Sequence, residues 1–229
     1  MKINRFISLC LLAGLSFVPM NAAEQTTLAT NVTHYEAKNY DHLLGKITGL
    51  DDSLLKIHFK LYEGYIKNSN LVLQKLQTLN QENQNKTPEF GALKRILGWE
   101  MDGMLLHELY FGNLGGKDPM DAKDPLMLKM QNDFGGFEQW KTDFIATGSM
   151  RGIGWVVAYV DPKNGRLINA WINEHDVGHL AGGTPVLIMD VWEHAYITQF
   201  GLDKAKYIEV FFNNINWAVV AERYKNKRN

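Results

Sequence analysis

The alternation of apolar and polar positions divides the chain into a helical first half and a mixed second half. Between residues 53 and 79, Leu54, Leu55, Leu61, Tyr62, Tyr65, Leu73 and Leu76 recur at helical spacing, with His58 set among them. Apolar side chains three and four apart share one face of a helix, so this stretch is predicted to be one long amphipathic helix entered at Asp51 or Asp52. A polar turn over 81–86 follows. Thr87-Pro88-Glu89 then supplies an N-cap, a proline at the first helical position and an acid for the positive end of the helix dipole. The second helix carries Phe90, Leu93, Ile96, Leu97, Met101, Met104, Leu105 and His107, and ends near Phe111. Two long helices on a short connection form an antiparallel hairpin.

The stretch 112–125, rich in glycine, aspartate and proline, breaks the pattern and reads as a linker. Shorter helices are predicted over 126–134 and 137–147. Strand-like runs at 154–160 and 166–173 flank the turn Asp161-Pro162-Lys163-Asn164-Gly165, and the apolar run 185–190 reads as a buried strand. Helix resumes from His194, and a last helix spans 204–223. Before the hairpin, 24–50 is polar and irregular, with 35–50 an extended arm. The fold class is α+β: an N-terminal antiparallel helical hairpin over 24–118, then a C-terminal domain over 119–229 of helices around a small three-stranded antiparallel sheet.

The amino terminus changes the picture. Lys2 and Arg5 precede an apolar run over 6–18, and Ala22-Ala23 stands before Glu24, the layout of a secretory signal peptide over 1–23. Export to the periplasm, or secretion, is the expectation, with no stable membrane insertion once the signal is cut. Cleavage there leaves 22 of the 24 basic side chains against all 25 acidic ones, a net charge of −3, and removes Cys10, the chain's single cysteine. That balance gives no reason to expect nucleic acid as a partner. A thiol-free mature chain excludes cysteine nucleophiles, disulfides and thiolate metal sites, so any metal must be held by histidine and carboxylate.

Candidate chemistry of that kind is present. Asp190-Val191-Trp192-Glu193-His194-Ala195-Tyr196 places an aspartate and a histidine where a strand ends and a helix begins. His58 and His107 each sit in an apolar helical face; neutral imidazoles with one carboxylate suit a first-row divalent or trivalent ion. A di-iron bundle enzyme would need paired Glu-x-x-His elements, which are absent. A His-Glu-x-x-His zinc protease is excluded because His107-Glu108 is followed by Phe111 where the second histidine should stand.

The Asp190 to Tyr196 element resembles the signature of the iron/manganese superoxide dismutases. Leu106-His107-Glu108-Leu109-Tyr110-Phe111, Gly152-Ile153-Gly154-Trp155, Asn213-Asn214-Ile215-Asn216-Trp217 and Ala221-Glu222-Arg223-Tyr224 resemble further family elements, so the likeness covers nearly all of the mature chain. The resemblance implies conversion of superoxide to dioxygen and hydrogen peroxide by one iron or manganese ion per subunit. It implies His58, His107, Asp190 and His194 as ligands, with a solvent molecule as the fifth. Tyr65 would guard the substrate channel, Trp155, Trp192 and Tyr110 would line the pocket, and Glu193 would reach His194 of the partner subunit in a homodimer. The alternative is a non-catalytic metal-binding protein on the same fold.

Two departures stand out. His58 precedes Tyr65 by seven residues, one fewer than is usual in the family, so an ungapped match would put Ile57 at the ligand position. Keeping His58 calls for a local helix irregularity, because one residue turns a helix by about 100°. The family's histidine between these positions is replaced by Leu61 and Tyr62, and its second tyrosine after His-Ala is Ile197. Finally, the glutamine that reaches the bound solvent in the family is Gly103 at its helix position here. His175, fifteen residues before Asp190, is expected to take that role as catalytic donor, while His179, in the glycine-rich loop, is not expected to affect the site.

Overall fold

The computed structural model describes residues 34–226. The predicted signal peptide, with Cys10, lies outside them. The hairpin is formed by α1 (Asp52–Gln81) and α2 (Pro88–Gly112). Thr87 caps α2 as expected: its Oγ1 accepts the Phe90 N–H at 3.3 Å, with Pro88 in the first turn. The buried positions of α1, among them Leu55, His58, Tyr62, Ile66, Ser69, Val72 and Leu76, recur every three or four residues.

Helices α3 (Pro125–Phe134) and α4 (Phe137–Gly148) lead to the antiparallel strands β1 (Gly154–Val160), β2 (Leu167–Asn173) and β3 (Thr184–Asp190), arranged β2-β1-β3. All of β1 is buried. It is bonded along both edges, and helices cover the sheet: α4 packs on β1 and β2, α2 and α7 (Trp217–Lys225) on β3. With both faces covered, the strand has no solvent side and no alternation in its sequence. One continuous cluster of buried side chains extends from Tyr40 to Tyr224. Among the described residues no helix is long and apolar enough to cross a membrane.

Three predicted elements differ. The expected arm over 35–50 is not extended: it folds through a 3-10 turn, Asp41–Leu43, and buries Tyr40, Leu43, Ile47 and Leu50, which an extended arm would leave in water. The predicted last helix is two, α6 (Lys204–Asn213) and α7. Asn214 and Asn216 use their side chains on backbone groups, which favours caps over helix interiors. Asn214 Nδ2 donates to the Val210 and Thr48 carbonyls, and Asn216 Oδ1 accepts the Val219 N–H at the start of α7. Between Asp190 and α6 the chain forms only a 3-10 turn, Glu193–Ala195, and a short α5 (Ile197–Phe200).

Asn113, just past α2, joins the two halves. Its side chain donates to the Ile188 carbonyl at 3.2 Å and accepts the Ile188 N–H at 3.0 Å, as a strand partner would. The Arg223 guanidinium donates to the same Asn113 oxygen and to the Leu109 carbonyl. This buried junction sets the C-terminal end of α2, with His107, against the end of β3, with Asp190.

Candidate metal centre

His58 lies on α1, which is an unbroken α-helix among the described residues, without the expected irregularity. None is needed. Seven residues fall about 20° short of two full turns, so His58 and Tyr65 share one face of a regular helix. His58 is 1% exposed and Ile57 is 55% exposed, which settles which of the two points inward.

On α2, His107 is fully buried, and its Nδ1–H donates to the Gly103 carbonyl at 2.5 Å. The proton therefore sits on Nδ1, and the lone pair is on Nε2, which is buried with no hydrogen-bond partner. An acceptor left dry and unpaired is costly, and it marks a place where something else binds.

The carboxylate of Asp190 is the hub. Its Oδ1 accepts the Trp192 N–H at 2.8 Å, and its main-chain carbonyl accepts the Tyr207 hydroxyl at 2.7 Å. That leaves Oδ2 facing the Nε2 atoms of His58 at 3.0 Å, His194 at 3.1 Å and His107 at 3.8 Å. One ligand atom from each of the four residues lies within 4.8 Å of all the others. Burial pushes both His58 and His107 below the ordinary imidazole range, with the neighbouring histidines adding to the shift. Burial pushes Asp190 the other way, but His194 and His58 outweigh it and hold the carboxyl far below its usual range. Three imidazole nitrogens around one ionised carboxylate oxygen are the donor set a first-row transition ion accepts.

Around this group lies a ring of aromatic side chains. Tyr65 stacks on His107 with ring centres 5.2 Å apart. His175 is fully buried; its Nδ1 accepts the Trp155 Nε1–H at 3.0 Å, and its Nε2 lies 2.7 Å from the Tyr65 hydroxyl. An indole can only donate, so the His175 proton is on Nε2 and is given to the Tyr65 oxygen. Burial lowers the His175 pKa to about 4, so the ring stays neutral, and burial raises that of Tyr65. Trp192 stacks on His175 at 4.7 Å, and Tyr110 packs 5.3 Å from His58 with its hydroxyl 3.0 Å from that of Tyr207. Glu193 is exposed, as is Ile197; Tyr62 is buried and donates to Glu108 at 2.9 Å.

The structure thus gathers His58, His107, Asp190, His194, Tyr65, His175, Trp155, Trp192 and Tyr110 at one place. Sequence reasoning missed Trp99, whose ring lies edge-on to His175 at 4.8 Å and to Trp192 at 5.9 Å, and Tyr207. Trp99 lies on the same helix as His107, eight residues before it. His179 lies outside the ligand group and donates from Nε2 to the His175 carbonyl at 2.8 Å.

A helical hairpin and the end of an antiparallel sheet, each offering two ligands, define a candidate mononuclear centre of the three-histidine, one-carboxylate class. The profile of the iron/manganese superoxide dismutase C-terminal domain matches residues 122–223. The chain is 36% identical over 195 residues to a superoxide dismutase [Fe] of Cupriavidus metallidurans, covering 83% of this chain and 96% of that protein. It is 35% identical over 195 residues to a superoxide dismutase [Fe] of Aquifex pyrophilus, covering 81% and 89%. To a superoxide dismutase [Mn] of Haloferax volcanii it is 32% identical over 171 residues, covering 73% and 83%. The chain belongs to the iron/manganese superoxide dismutase family.

Proposed function

We propose that the protein is a superoxide dismutase holding one iron or manganese ion per subunit between His58, His107, Asp190 and His194. The observation that carries this reading is the buried, unpartnered Nε2 of His107, which faces the same carboxylate oxygen as His58 and His194. A bound iron or manganese would supply one-electron redox chemistry toward superoxide, with His58, His107, Asp190 and His194 holding it. Two superoxide anions and two protons give one dioxygen and one hydrogen peroxide.

The chain's own residues serve this reaction in three ways. A single carboxylate among neutral imidazoles leaves the loaded site positively charged, which draws in an anion. Trp155, Trp192, Trp99 and Tyr110 keep the surroundings apolar, which strengthens that attraction. Tyr65 accepts the Nε2–H of His175, so its own hydroxyl proton is directed elsewhere and can be given to an arriving oxygen species. The Trp155–His175–Tyr65 chain keeps that proton in one orientation.

The protein is exported, on the strength of Lys2 and Arg5 ahead of the apolar run and Ala22-Ala23 after it. Two copies pair through the surface bearing Glu193, Ile57 and Ile197, all exposed in the single chain and adjacent in sequence to ligands or close to them. Glu193→Ala is expected to give monomer at low micromolar concentration with reduced metal content; sedimentation showing an unchanged dimer would count against the pairing. The test of the function itself is superoxide dismutation per bound ion in purified protein reconstituted separately with iron and with manganese. Full loading without turnover by either metal would make the chain a metal-binding protein only.

A further inference from the structure

The loop between β2 and β3 carries His175 at the tip of a tight turn. Asn173 and Val177 exchange backbone hydrogen bonds of 2.7 and 3.4 Å across it, enclosing Glu174, His175 and Asp176. Glu174 has φ +55°, a left-handed conformation that side-chain-bearing residues adopt at a cost. Such a backbone persists only where its surroundings hold it in place. The position of the His175 ring therefore depends on what restrains this turn.

His179 supplies a restraint from outside the turn. Its Nε2 lies 2.8 Å from the His175 carbonyl, and a carbonyl only accepts, so Nε2 carries the proton. Its Nδ1 lies 2.9 Å from the Tyr159 hydroxyl in β1, which donates to it in the tautomer protonated at Nε2. Burial raises the Tyr159 phenol to about 12, so that hydroxyl keeps its proton. Asp102, on the helix that carries His107, has a carboxylate oxygen 3.6 Å from the same Nε2.

We propose that His179 is a positioning residue: it latches the His175 main chain to Tyr159 and so keeps the His175 Nε2–H aimed at Tyr65. Through this latch β1 acts on the turn twice, with Trp155 fixing the His175 ring and Tyr159 fixing its carbonyl through His179. The proposal deepens the dismutase reading and rests on it only for the effect on turnover.

The experiment uses full-length, metal-loaded protein and three variants. His179→Phe keeps a ring but neither hydrogen bond; His179→Gln keeps one donor and one acceptor; Tyr159→Phe removes a single hydroxyl. Metal content, turnover and hydrogen exchange of the 174–180 amides are measured for each. The latch predicts that His179→Phe retains metal, loses roughly ten-fold in turnover and exchanges faster over 174–180, while His179→Gln retains most of both properties. The proposal is overturned if His179→Phe matches the parent in exchange, if it loses its metal, or if His179→Gln falls as far as His179→Phe. Should His179→Phe fail to fold, Tyr159→Phe decides: faster exchange over 174–180 supports the latch and unchanged exchange overturns it. A parent protein that binds metal without turnover would sink the dismutase reading, whereas the exchange measurements would still test the latch.

Discussion

His58 and His107 stand on two long regular helices, whereas Asp190 and His194 come from a strand end and a 3-10 turn. The two pairs meet at one carboxylate oxygen, but different physics brings them there. On the helices a side chain's direction follows from its place in the 3.6-residue period, and burial of the apolar face orients the histidines with it. At the end of β3, direction depends on individual bonds: the Trp192 N–H on Asp190 Oδ1, the Tyr207 hydroxyl on the Asp190 carbonyl, and Asn113 on Ile188. The helical half should therefore be sensitive to register, and the strand half to the loss of particular polar groups.

The largest effect is expected at the point where the halves meet. Asp190→Ala removes the oxygen faced by three imidazole nitrogens, and should reduce tight metal binding and turnover to background with the fold largely kept; His194→Ala should do the same. Metal analysis and circular dichroism check this, and full metal retention in either variant would break the assignment. Next comes register. One alanine inserted after Glu63 turns Tyr65 and all that follows in α1 by about 100° relative to His58. It should abolish turnover and lower the melting temperature sharply, whereas an alanine inserted after the exposed Ala181 in the β2–β3 loop should cost little. Equal damage from both insertions would erase the distinction between the halves.

A smaller effect concerns pH. The folded His175 pKa is about 4 against 6.5 for the free side chain. Above both values the ring is neutral folded or unfolded. As pH falls through 6.5 towards 4 the unfolded chain takes up a proton that the folded chain refuses, so stability is lost across that window. The loss is up to about 3 kcal/mol at about 1.4 kcal/mol per unit. The shifts of His58 and His107 have the same sign and add to it. Urea unfolding at several pH values should show a shallower acid loss in His175→Gln, whose amide can still accept from Trp155 and donate to Tyr65.

The smallest effect tests packing between the helices. A Cβ at Gly103 would stand 2.6 Å from the Tyr65 ring. Helix propensity alone favours Gly103→Ala by about 1 kcal/mol, but overpacking costs about 1–3 kcal/mol. We expect net destabilisation, with lower turnover as Tyr65 is pushed off His175. A rise in melting temperature with unchanged turnover would show that the ring yields freely.

The α1–α2 hairpin, α3, α4 and all three strands were legible because each carries a local signal: apolar periodicity, the Thr87-Pro88 cap, or a turn rich in Asp, Pro, Asn and Gly. The signal failed where long-range contacts outvote it. The polar stretch 35–50 folds back because Tyr40 packs on Phe59, Tyr62 and Phe111 of the hairpin while Leu43 and Ile47 lie beside Gly115, and α6 and α7 separate where Asn214 bonds to Thr48, far away in sequence. The four ligand candidates were legible as residue types in characteristic motifs.

The sequence by itself determined the candidate ligand chemistry, since its motifs offer histidine and carboxylate and residues 34–226 hold no cysteine, and it placed His58 and His107 in apolar helical faces. Only the tertiary structure decided that α1 needs no irregularity, that Asp190 turns Oδ2 rather than Oδ1 to the three imidazoles, and that His179 bears on His175. A helix repeats, so spacing along it encodes direction. A loop does not repeat, and the direction of its side chains is set by partners such as Trp155, Tyr159 and Trp192 that only folding brings near.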